Sequence, residues 1–282
     1  MEYNVSLDIK FIAQALGISF STLSKNIGTT PETLSRIINN KIFPSNKMLE
    51  SIYSYAYHQG LNINIEKTAY YLNRCDVVLF HGSRNMIEGE LSLMHSRDHV
   101  DLGTGFYTGD NYEQSLDFVS QNENSAIYLF EYDPSDLRVL TLDVSLDWML
   151  IILYNRELLE EYKDTELYKK IKAYCEGYDV VVAPIADNRM FSTIESFFNM
   201  EITTEQAIHA LNALRLGKQI VFKTEKGLKH LKMLEKLYIS KPEREASFTR
   251  KRDIIKNGEN YIRDVYSQYL RKGLYISEVF GK

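Results

Sequence analysis

Three observations make the sequence predict an α+β fold. Apolar residues recur at helical spacing through residues 1–74, short β-type runs alternate with helical stretches from Asp76, and a helical period returns after Pro242. In the first segment Phe11, Ile12, Ala15 and Leu16 line one helix face, and Gly17 ends it. Residues 19–28 predict a short second helix, stopped by Gly28. Thr30 and Pro31 suit the N-cap and first position of a third helix, with Leu34, Ile37 and Ile38 as its apolar face. Met48, Leu49, Ile52, Tyr53 and Tyr55 predict a further helix, followed by a connector near Asn62–Asn64. The period changes at Asp76, where Val77–Phe80 reads as a strand ending in His81-Gly82-Ser83-Arg84. Later strands are expected at Ala126–Tyr132, Val139–Leu142, Tyr178–Ala183 and Gln219–Phe222, with helices at Glu113–Val119, Leu146–Glu161 and Thr204–Leu214. In the tail Phe248, Ile255, Ile262, Val265, Tyr266 and Tyr269 recur near helical spacing up to Gly273.

A chain of 282 residues fits one large or two modest domains, at roughly 100–200 residues each. The expected division is a helical domain over 1–74, a mixed domain over 75–240 and a helical extension over 241–282. The net charge of −5 is uneven: residues 1–74 carry +2, residues 241–282 carry +4, and the middle therefore −11. That is not the footprint of a protein that coats nucleic acid, so any DNA contact is expected from the ends, where Arg250-Lys251-Arg252 is the densest basic cluster. The N-terminus lacks a basic region followed by an apolar one, and the longest apolar run, Trp148–Tyr154, is far short of the ~20 residues a membrane helix requires. Two cysteines, Cys75 and Cys175, are too few for a disulfide framework, and no His/Cys spacing matches a zinc site. A cytoplasmic protein without a bound metal or membrane partner is expected.

Helix, tight glycine turn and polar-faced helix over Leu23–Lys41 make a helix-turn-helix pattern. It resembles the phage-repressor class, and that resemblance makes Thr33, Arg36 and Asn40 the candidates for contact with a DNA operator. Small helical bundles of this period also dock proteins, and a homodimer is expected if two half-sites are read.

In the middle segment each motif alone is weak. Gly103-Thr104-Gly105 is not a dinucleotide fingerprint, since no strand–GxGxxG–helix order surrounds it. The combination is more specific. His81-Gly82-Ser83, then Gly103-Thr104-Gly105-Phe106-Tyr107, then a helix with Ser115 and Phe118 follow in the order of the ADP-ribosyltransferase superfamily, in its diphtheria-toxin and poly(ADP-ribose) polymerase branch. The branch places a Glu on a later strand; the matching strand here is Lys218–Phe222, with Gln219 in that place. The span from Asp76 to about Leu234, including Asp187-Asn188-Arg189, also looks like a bacterial family of such domains of unknown function in which this Gln is usual.

The resemblance implies a split β-sandwich core and NAD as substrate. Gly82 would pair with the nicotinamide amide through its backbone, His81 with the adenosine ribose and Ser115 with the amide, while Tyr107 and Phe118 would flank the pyridinium ring. Ser83, Arg84 and Gly105 complete the implied binding set, and His81, Tyr107 and Gln219 the catalytic one. A Gln supplies no charge to the ribosyl cation but can accept a ribose hydroxyl. Asp187, Glu195 and Asp101 are the carboxylates that could serve in its stead. The expected activity is mono-ADP-ribosylation of a protein or nucleic-acid acceptor, as a toxin-type or phage-defence effector. NAD glycohydrolysis and non-catalytic NAD or ADP-ribose sensing by a regulator are the alternatives.

Overall fold

The computed structural model describes residues 3–95, 100–214 and 217–281, with backbone alone at 95, 189 and 253–263. The side chains of Arg189, Ile255 and Ile262, which figure in the readings above, thus lie outside the described residues. In chain order the elements are α1 (Val5–Ala15), α2 (Phe20–Asn26), α3 (Pro31–Ile38), α4 (Asn46–His58), α5 (Ile63–Leu72), β1 (Val78–Ser83), β2 (Phe106–Gly109), α6 (Tyr112–Val119), β3 (Ala126–Tyr132) and β4 (Val139–Thr141). There follow α7 (Leu146–Asn155), α8 (Glu166–Ala173), β5 (Val180–Pro184), α9 (Asn188–Phe198), α10 (Thr204–Ala213), β6 (Lys218–Phe222), α11 (Glu225–Lys229), β7 (Leu231–Tyr238), α12 (Lys241–Gln268) and α13 (Ile276–Val279). The fold is mixed α/β.

The chain forms two compact units, each assembled from three segments. The first comprises Met1–Glu88, Tyr112–Tyr132 and Lys232–Lys251. Arg74, the end of the expected first domain, lies inside it. Its helices begin where polar caps allow. Ser19, Thr30 and Ser45 each accept the amide of the residue three positions on, satisfying donors that the first helical turn leaves open. Asn62, expected in a connector, instead caps α5 by accepting from Asn64 and Ile65. Ile9, Ile12, Leu23, Leu34, Leu49 and Ile52 are fully buried between these helices. Tyr238 of β7 joins this core by stacking on Tyr53, with ring centroids 5.0 Å apart. Strands β1, β3 and β7 lie side by side in the order β1-β3-β7, and β1 and β3 are antiparallel with His81 opposite Tyr128. Helix α6 covers them through Tyr112, Leu116 and Val119, which pack on Val78, Phe80, Ile127 and Leu129.

Buried polar groups tie this unit together. Lys67 of α5 bridges Asp8 of α1 at 2.7 Å and Glu235 of β7 at 2.6 Å, while the Tyr53 hydroxyl donates to Asp8. Burial still pushes the Asp8 carboxyl above its ordinary range, despite the ammonium beside it. Glu243, buried near the start of α12, accepts from Tyr112 at 2.7 Å and Asn64 at 2.9 Å.

The second unit comprises Gly89–Asn111, Asp133–Leu231 and Arg252–Lys282. Its strands run in the order β4-β5-β6-β2: β4 and β5 are parallel, and β6 is antiparallel to both β5 and β2. Every side chain from Trp148 to Leu153 of α7 is buried. The longest apolar run is therefore a core helix, packed among residues such as Val181, Ile194, Phe197 and Val221. No helix of the described residues is long and apolar enough to cross a membrane. The helix expected over Leu146–Glu161 stops at Asn155, because Glu157 takes a positive φ of 60° and turns the chain before a short 3-10 turn at Glu160–Tyr162.

Candidate functional site

In the first unit the expected residues gather where β1 meets α6. His81, Gly82 and Ser83 form the last half of β1 and are half-buried, unlike the fully buried Val78–Phe80 before them. The His81 ring lies 6.4 Å from that of Tyr128 on β3. Gly82 is needed here for packing. A Cβ on it would stand 2.6 Å from the Ser115 carbonyl oxygen and 3.0 Å from Val119 Cγ1, so α6 sits on β1 at the one position without a side chain. Ser115 is buried on that helix face, and Phe118 is exposed beside it. The Arg84 guanidinium lies 4.9 Å above the Phe118 ring, a cation–π contact. Ser83 donates its hydroxyl to the Asn85 carbonyl and so rounds the turn after β1.

The other expected residues gather in the second unit, around the turn that leads into β2. Gly103 has a φ of 70°, and a Cβ on Gly105 would stand 2.7 Å from the Phe222 carbonyl oxygen, so both glycines are demanded by backbone geometry. Tyr107 closes the turn: its hydroxyl donates to the Gly103 carbonyl at 2.7 Å and accepts the Leu102 amide at 3.1 Å. Burial pushes that phenol far above its usual range. On β6, Gln219 stands opposite Gly109 and is 6% exposed.

Gln219 is held by two contacts. Its Nε2 donates to the Pro184 carbonyl at 3.0 Å, and its side chain hydrogen-bonds the Asp101 carboxylate. Asp101 in turn accepts both Nε and Nη2 of Arg156, at 3.1 and 2.6 Å, and the Ala186 amide. Desolvation outweighs these partners and raises the Asp101 carboxyl above its ordinary range. Arg156 also lies 3.6 Å over the Phe191 ring. Of the three carboxylates named above, Asp101 is thus in contact with Gln219. Asp187 opens α9 by accepting the Met190 amide at 3.1 Å, and Glu195 is exposed on the same helix.

Arg156 escaped the sequence reading. It caps the C-terminus of an apolar helix with no motif around it, and its contact with Asp101, 55 residues earlier in the chain, is made only in the folded structure. In the N-terminal helices, Thr33 is half-buried with its hydroxyl bonded to the Thr30 cap, Arg36 is exposed on α3, and Asn40 closes that helix in the left-handed region at φ 54°. Among the described residues no group of three or more His, Cys, Asp or Glu is placed to hold a metal. Both cysteines are free.

Compared with known proteins, residues 77–233 match the family described as a protein of unknown function (DUF3990), and the chain belongs to that family. The match spans β1 to the start of β7, and so contains every middle-segment candidate residue. No curated protein and no solved structure matches.

Proposed function

We propose that this protein is a mono-ADP-ribosyltransferase: its middle segment has an ADP-ribosyltransferase-like split β-sandwich core, and the substrate is NAD. The observation that carries this reading is the way Gln219 is held. Its amide nitrogen donates to the Pro184 carbonyl and its side chain is steered by Asp101, and an amide held in this way carries a carbonyl oxygen of the kind that accepts a hydroxyl. A fixed acceptor suits a ribose O–H at the third position of the resembled motif. Asp101, bonded directly to Gln219, is braced by Arg156 and orients the amide rather than replacing it.

In this reading the nicotinamide–ribose C–N bond breaks and nicotinamide leaves with the electron pair. An acceptor nucleophile then attacks the ribosyl cation and loses its proton. His81 holds the adenosine ribose, Gly82 and Ser115 the nicotinamide amide, Ser83 and Arg84 the adjoining polar groups, and Tyr107 and Phe118 the flat ring. Preorganised polar groups of this kind are worth about 3–4 kcal/mol each where they meet developing charge. The N-terminal helices serve as a DNA-binding or docking module through the exposed face of α3, with Arg36 as its free cation among the described residues.

The test is incubation of the purified chain with labelled NAD and a cell lysate, following nicotinamide release and label transfer. Transfer to protein or nucleic acid, lost in H81A, supports the transferase. Release without transfer makes the protein a glycohydrolase. Absence of both overturns the enzymatic reading and leaves NAD sensing, read as operator binding with and without NAD.

A further inference from the structure

The second unit contains a cavity of about 380 Å³ that none of the residues discussed above as NAD-facing lines. Its walls are largely apolar and aromatic, from Leu102, Ile151 and Ile171 together with Tyr154 and Tyr178, with Asn155 and Thr224 as polar members. Set into these walls is Lys223, the residue that follows β6. Its backbone is pinned, the amide donating to the Asp179 carbonyl at 2.8 Å. Its ammonium donates to the Leu102 carbonyl, which engages one of three N–H groups.

Several other lysines are paired with carboxylates. Lys67, Lys169, Lys226, Lys232 and Lys241 each stand within 4 Å of a carboxylate. For Lys223 no carboxylate partner occurs among the described residues, although burial lowers its affinity for a proton. The neighbouring Cys175 does not neutralise it as a thiolate, since burial holds that thiol above its ordinary range. Lys172 and Glu176, both exposed, add charges of opposite sign at the rim. A half-buried cation in a largely apolar cavity is costly unless an anion joins it, and clefts of roughly 300–1,000 Å³ lined mainly by apolar side chains with a small number of polar groups are where small ligands bind.

We propose that this cavity binds a small organic anion, a carboxylate or phosphate monoester on an apolar or aromatic body, with the anionic head on Lys223 and the body between Tyr154 and Tyr178. The site is independent of the NAD reading. It touches the same turn from the other side, since Leu102 gives its carbonyl to Lys223 and its amide to Tyr107.

The experiment is isothermal titration of the full chain with phenyl phosphate, benzoate, inorganic phosphate and benzyl alcohol. One aromatic anion should bind per chain, with benzyl alcohol and inorganic phosphate at least about tenfold weaker, as expected when a charge-assisted contact and an apolar contact act together. K223M should lose about tenfold or more. C175F, which fills the cavity and keeps the ammonium, should abolish binding, and H81A should leave it unchanged. Unchanged binding in folded K223M or C175F overturns the proposal, as do benzyl alcohol binding as tightly as benzoate and no binding by either aromatic anion up to about 10 mM. If no NAD chemistry is found, these titrations still decide the matter.

Discussion

Replacing Gln219 by Glu restores the residue that the resembled enzymes carry, and the structure predicts that the protein will resist it. The side chain is 6% exposed, and Asp101, its neighbour, has a side chain only 12% exposed. A carboxylate at position 219 cannot donate to the Pro184 carbonyl or to Asp101, so both contacts become oxygen against oxygen. Leaving such groups unsatisfied costs about 1–3 kcal/mol each, and a second negative charge beside Asp101 adds to this unless one proton is shared. The expected loss is about 2–5 kcal/mol near pH 8. The sign with pH follows from the carboxyls involved. Asp101 already lies above its ordinary range, and a neighbouring Glu raises both further. An acid whose folded pKa is raised contributes stability at pH below its unfolded value and loses it as pH rises through the folded value. The deficit of Q219E should therefore shrink toward pH 5. Chemical denaturation of both proteins at pH 5 and pH 8 measures this. A variant as stable as the parent at pH 8 would refute the reasoning, because Gln219 would then not be holding Asp101.

Two further outcomes follow from the packing. G82A drives a methyl group into the Ser115 carbonyl and Val119; overpacking of this kind costs about 1–3 kcal/mol, and an unchanged melting temperature would contradict it. Loss of NAD turnover in G82A would then report displaced α6 as much as lost nicotinamide contact. K67M leaves Asp8 and Glu235 buried without their shared cation; the expected destabilisation is about 3–5 kcal/mol at neutral pH, easing as pH falls and the Asp8 carboxyl, raised by burial, protonates. A denaturation midpoint that does not move would remove Lys67 from the account of how α1, α5 and β7 are joined.

Much of the secondary structure was legible because short-range chemistry dictates it. Ser19, Thr30 and Pro31 set the starts of α2 and α3, and the apolar β-type run Val77–Phe80 before His81 set β1. The strand β7 was not legible: Leu231, Leu234 and Leu237 recur every third residue, a helical spacing that pairing beside β3 overrides. Helix α8 was also missed, because its composition is polar and only Ile171 is buried. At the candidate site, the glycines and Tyr107 stood out as residue types in a spacing. The network behind Gln219 did not, since Asp101, Arg156 and Pro184 are far apart in sequence and meet only through the turn after α7 and the packing of β5 on β6. The sequence also offered no reason for Gly82 beyond ligand approach, whereas α6 supplies one by contact.

The central claim is that His81 and Gln219 act on NAD. The most direct test is nicotinamide release from NAD by the full chain and by H81A, with circular dichroism verifying that both are folded. The account predicts release by the parent chain and a loss of about a hundredfold or more in H81A, the scale of removing one preorganised polar group. Release that is equal in the two proteins, or absent from both, would contradict it.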